Sequence, residues 1–145
     1  MQHFLTQYLR SSEAFVSALD ACHQAITPET VTQLEASQDR YRLQAQRLEG
    51  ASMELHPLER MGVEALLQAQ MGASQGIVWH NRSRLIRQDA EARLRAGDSD
   101  GAKKLEAEAE ILRQKILDIA DDVFNASELS VVVGMMMPMG AEVRQ

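Results

Sequence analysis

Residues 105–126, LEAEAEILRQKILDIADDVFNA, decide the fold. Apolar or small residues fall at Leu105, Ala109, Leu112, Ile116, Ile119, Val123 and Ala126, in alternating steps of four and three. That is a sustained heptad seam. A helix alone in water gains little from propensity and must bury such a seam to be stable. The stretch therefore demands other helices to lie against. Asp98, Ser99 and Asp100 stand just before it and offer side-chain oxygens for the first helical N–H groups.

Upstream, the same period recurs. Met1, Leu5, Tyr8, Ser12, Phe15, Leu19, Cys22 and Ile26 predict a first helix over residues 2–26, widened by Phe4, Leu9 and Val16. Thr27, Pro28 and Glu29 read as a cap, a first-turn proline and a dipole-facing acid. They start a second helix through Val31, Leu34, Gln38, Tyr41, Ala45, Leu48, Ser52 and Leu55, with Gly50 ending or bending it. The short link makes these two helices an antiparallel hairpin. His56-Pro57 marks the next boundary, because a residue before proline avoids the helical region. A third helix from Pro57 to Ala96 would be about 60 Å long, longer than either of the first two. Residues 97–101, GDSDG, form the clearest turn. The expected fold is all-α: an antiparallel helical bundle of about four helices, with the hairpin of helices 3 and 4 extended. Residues 1–128 make the bundle.

Gly62, Ala65, Ala69, Gly72, Ala73 and Gly76 form a small-residue stripe on the third helix. It fits close packing against a neighbouring helix, a shallow groove for a partner helix, or a kink near Gly72–Gly76. Trp79, the sole tryptophan, follows the stripe and serves as either a core or an interface anchor.

Residues 129–145 change character. Val131, Val132 and Val133 disfavour a new helix, and Gly134 and Pro138 interrupt one, so this expectation is a non-helical, Met/Val-rich tail. Met135, Met136 and Met137 lie in it, and methionine suits surfaces that bind adaptably. The tail either folds back over the bundle or docks on a second chain; exposed, it is an aggregation liability.

Composition narrows the function. Of the 145 residues 45% are hydrophobic and only 4% aromatic, which suits thin helical seams. The formal net charge of −6 argues against nucleic-acid binding, which needs a basic face. Residues 79–104 carry seven Lys/Arg against four acids, and residues 105–145 eight acids against three bases, so the two segments complement each other as a helix pair. No apolar run reaches the roughly 20 residues of a membrane span, and the N-terminus carries no continuous apolar signal core. The single Cys22 fits a reducing compartment, so the expected location is cytoplasmic.

No phosphate loop, nucleophile elbow or metal-spaced Cys/His set occurs. Asp20 and His23 share a helix face but lack the further carboxylates and second histidine of a bundle metal site. No cofactor, metal or catalytic residue is expected. In size, acidity and helical pattern the chain resembles small bacterial helical adaptors and secretion-type chaperones. The expected function is a non-enzymatic protein–protein interaction module, completed by another protein or by a second copy. Its partner-contact candidates are Trp79, Val131, Val132, Val133, Met135, Met136 and Met137. The alternative is a small-molecule-binding or sensor bundle, with His80, Arg82 and Arg84 beside the glycine stripe lining an anion site.

Overall fold

The structure is a computed structural model that describes the backbone of residues 1–144 and the side chains of residues 1–136. Four helices follow one another: α1 (Gln2–Gln24), α2 (Pro28–Ala51), α3 (Pro57–Arg95) and α4 (Ser99–Arg144), with a single 3-10 turn at Ser52–Glu54. The fold is all-α, an antiparallel bundle in which α1 lies on α2, α2 bridges to α3, and α4 lies along α3.

Local chemistry sets each boundary. Thr27 accepts from the Thr30 N–H while the Thr30 hydroxyl accepts from the Thr27 N–H, a reciprocal cap with Pro28 in the first turn. The His56 Nδ1 accepts from Leu58 N–H at the start of α3. At its end Gly97 takes φ +86°, the left-handed conformation that closes a helix without Cβ strain. Asp98 N–H then reaches back to the Arg93 carbonyl at 2.9 Å and Gly97 N–H to Leu94. Asp98 also caps α4, its Oδ1 accepting from Gly101 N–H at 2.9 Å. One residue thus finishes α3 and begins α4.

The core lies in the α1–α2–α3 part. Tyr8, Phe15, Cys22, Val31, Leu34, Tyr41, Leu48, Leu67 and Val78 are buried together. Between α2 and α3 the packing turns polar. Gln38 Nε2 donates to Ser74 Oγ at 3.4 Å, Arg42 reaches both Gln38 and Gln75, and Arg82 pairs with Glu35. Such partners fix register, because each buried polar group left unmatched costs about 1–3 kcal/mol.

The α3–α4 seam is different. Gly62 faces Val133, Gly72 faces Val123 and Gly76 faces Ile119, so the small-residue stripe lies directly on α4. Beyond the reach of α1 and α2, alanines do the same work: Ala90, Ala102 and Ala109 are each at most 3% exposed. Both helices are long, about 58 Å for 39 residues and about 69 Å for 46 at 1.5 Å per residue. Their Asp98 end projects as an arm in which residues 91–100 are all exposed.

The non-helical tail is corrected. α4 continues through Val131–Val133, Gly134 and Pro138 to Arg144. The seam did not end at Ala126: Ser130 and Val133 extend it by steps of four and three, and Val133 is 2% exposed. A valine costs a helix at most about 0.7 kcal/mol relative to alanine. Burying its side chain returns about 1.5 kcal/mol or more. Burial therefore offsets the local preference at Val133, while Val131 and Val132 are carried exposed on the same helix.

The expected charge complement of the two C-terminal segments takes another form. Arg82 pairs with Glu35 on α2, Arg93 with Asp89 and Asp98, and Arg95 with Glu91, so these arginines find acids on α2 or near themselves. Such exposed pairs contribute about 0–1 kcal/mol each.

Candidate functional site

With its inner seam laid on α3, α4 still carries a second apolar stripe. Leu117, Ala120, Phe124, Ser127 and Val131 step by three and four, offset by one residue from Ile116, Ile119, Val123, Ala126 and Ser130. One residue is about 100° of helix rotation, so the stripe stands beside the seam and faces outward. Phe124 and Val131 are each 61% exposed and Met135 is 71% exposed. A soluble chain rarely leaves so long an apolar run uncovered.

The stripe borders two grooves along the α3–α4 edge. One, of about 420 Å³, lies between Leu55, Gly62, Val63 and Leu66 on one side and Val131, Val133 and Gly134 on the other. The other, of about 750 Å³, is floored by Gly72, Ala73 and Gly76 and walled by Ile116, Ile119, Val123 and Phe124. Leu19 and His23 close it from α1, and His80 and Asn81 from α3. The glycines have a double role: the same missing side chains that let Val123 approach also hollow out the groove beside it. On α1, Leu5, Leu9 and Val16 add a further exposed stripe that leads to Leu19.

The sequence-derived candidates divide. Val131, Val132, Met135 and Met136 are exposed on the distal part of α4. Val133 points the other way, into Gly62, and is a packing residue rather than a surface one. Met137 lies outside the described side chains. Trp79 is half-buried, and the Lys115 ammonium of α4 stands 5.7 Å from its ring centroid. Gly62, Ala69, Gly72 and Gly76 line the α4 side of α3. The anion trio does not assemble: His80 reaches the larger groove, whereas Arg82 turns to Glu35 on α2.

Leu117, Phe124 and Asn81 escaped the sequence reading, and His23 entered it only as the neighbour of Asp20. Phe124 was readable from its heptad step to Leu117 and Val131. Asn81 was not, because burial of a polar residue leaves no periodic mark.

Three titratable groups, Tyr8, Cys22 and Tyr41, lie in the core. Cys22 is fully buried, its Sγ 3.4 Å from the Thr30 carbonyl oxygen. Tyr8 and Tyr41 share a hydrogen bond of 2.9 Å, and Tyr41 donates to Gln70 at 3.2 Å. Tyr41 has only one proton, so Tyr8 is the donor in their bond. Burial, then the bond to Tyr41, pushes the Tyr8 phenol far above its ordinary range. Among the described residues no three His, Cys, Asp or Glu side chains gather to hold a metal ion. None of the helices is long and apolar enough to cross a membrane among those residues.

Comparison with protein-family models, with characterised proteins and with solved structures gives no match.

Proposed function

We infer that the chain is a non-enzymatic protein–protein interaction module, an adaptor, chaperone-like protein or structural subunit, that receives a helix of another protein along the outer stripe of α4. The supporting observation is the Leu117–Phe124–Val131 stripe, which recurs every seventh residue and lies exposed while Ala126 and Val133 of the adjacent seam are buried. A heptad stripe is the surface another helix can match by knobs-into-holes packing.

Charge selects the partner. Asp118, Asp121, Asp122 and Glu128 border the stripe and are all exposed. The fitting occupant is an amphipathic helix with apolar seam residues and Lys or Arg on its flanks. Basic flanks speed encounter and exclude acidic helices. Met135 and Met136 extend the surface with side chains that adapt to differing partners.

Calorimetric titration tests this reading. The probe is a synthetic helical peptide of about 21 residues, about 30 Å long, with leucine seam positions and lysine flanks. The control carries glutamate flanks. The lysine peptide is expected to bind saturably, at least about tenfold tighter than the control, and more weakly as salt rises from about 0.05 to about 0.5 M. Equal binding of both peptides, or none of either, overturns the reading. Light scattering on the chain alone shows whether the occupant is a second copy instead.

A further inference from the structure

The larger groove has an apolar wall and one polar end. At that end Asn81 is 2% exposed, and its Nδ2 donates to the Ile77 carbonyl oxygen at 2.8 Å. Its Oδ1 is buried with no hydrogen-bond partner. Most buried side-chain oxygens have a partner, so this acceptor calls for a donor. His23 of α1 and His80 of α3 are both exposed and line the same groove. The remainder, Ile77, Ile119, Val123 and Phe124 among it, is apolar apart from the Ser127 side chain.

We propose that this groove binds a neutral, hydroxyl-headed amphiphile: an elongated apolar body with a terminal alcohol whose O–H donates to Asn81 Oδ1. The same alcohol oxygen accepts from His23 or His80. A hydroxyl meets both needs because it donates one bond and accepts others. A carboxylate cannot satisfy that acceptor, since at neutral pH it has no proton to give. No Lys or Arg lines the groove to fix an anion. The volume of about 750 Å³ falls within the range of small-molecule sites. From Asn81 to Gly72 the groove follows α3 for about 13 Å at 1.5 Å per residue, the length of an alkyl chain of roughly ten carbons. This inference does not rest on the partner-helix reading, because chain and ligand suffice to test it.

The test is titration of the full chain with 1-decanol, decyl methyl ether and decanoate, followed by calorimetry and thermal unfolding. Decanol is expected to bind saturably and to raise the melting temperature. The ether, which has no proton to donate, and decanoate are expected to bind about tenfold more weakly or worse. Asn81→Leu is expected to bring decanol down to the affinity of the ether. Ala120→Trp, at an exposed position on the groove wall, fills the groove and is expected to abolish binding of all three even if Asn81→Leu fails to fold. Absence of saturable decanol binding overturns the proposal. So does equal binding of decanol and the ether, which would mean apolar burial alone. Unchanged binding in Ala120→Trp would place the ligand elsewhere and also overturn it.

Discussion

Gly72 and Val123 meet across the α3–α4 seam with no space for a side chain on the glycine: a Cβ built there would collide with Val123 Cγ2. Four residues on, a Cβ at Gly76 would sit 3.8 Å from Ile119 Cδ1, an ordinary contact. The two glycines share a helix and a face but differ in what they permit.

The same substitution therefore separates them. Gly72→Ala forces Val123 or the helix aside, and such overpacking costs about 1–3 kcal/mol, only partly offset by helix propensity. Gly76→Ala makes only an ordinary contact with Ile119 and gains about 0.5–1 kcal/mol from the reduced freedom of the unfolded chain. Thermal unfolding should show a melting temperature lowered by several degrees for Gly72→Ala and raised by a few for Gly76→Ala. Equal shifts of either sign would refute the asymmetric seam.

Tyr8 supplies a pH dependence. Its phenol is held protonated in the fold, largely by burial, whereas the unfolded chain ionises near the ordinary tyrosine value of about 10. Above that pH the unfolded state binds fewer protons than the folded one, so stability falls as pH rises, by up to about 1.4 kcal/mol per pH unit for one group. Denaturant unfolding between pH 8 and pH 11 should show this loss in the wild type and a shallower slope in Tyr8→Phe. An unchanged slope in the variant would exclude Tyr8 as its source.

Helix count, order and hairpins were legible because they rest on apolar period and caps, which are local. Thr27-Pro28 and Gly97-Asp98 each mark a boundary within a few residues. The end of α4 was misread for the opposite reason. Three valines in a row carry a local preference, whereas Val133 is decided by Gly62, 71 residues away in the chain. The outer stripe of α4 was present in the residues but sat one position beside the stronger seam. The groove came from missing atoms at Gly72 and Gly76 together with the arrival of α1, and no single segment encodes that meeting.

Cys22 gives a direct report on the α1–α2 core. It is fully buried beneath the link between the two helices, with Thr30 above it. A thiol reagent needs access to the sulfur before it reacts. Labelling should be negligible in the native chain and should rise with the unfolding transition. Rapid labelling under native conditions would show that α1 leaves α2 readily.

The central claim is that neighbouring residues of α4 serve different ends, the inner seam holding the fold and the outer stripe holding a partner. The most direct measurement compares Val123→Glu with Phe124→Glu, following thermal unfolding and binding of the lysine-flanked peptide together. At position 123, half-buried and packed on Gly72, a carboxylate should destabilise by about 1–3 kcal/mol. At position 124 the change should alter stability by no more than about 0.5 kcal/mol, because the ring is mostly in solvent. Peptide binding should nevertheless be lost with Phe124→Glu. A folded Phe124→Glu chain that still binds the peptide, or one that unfolds as Val123→Glu does, would contradict the division of α4 into two faces.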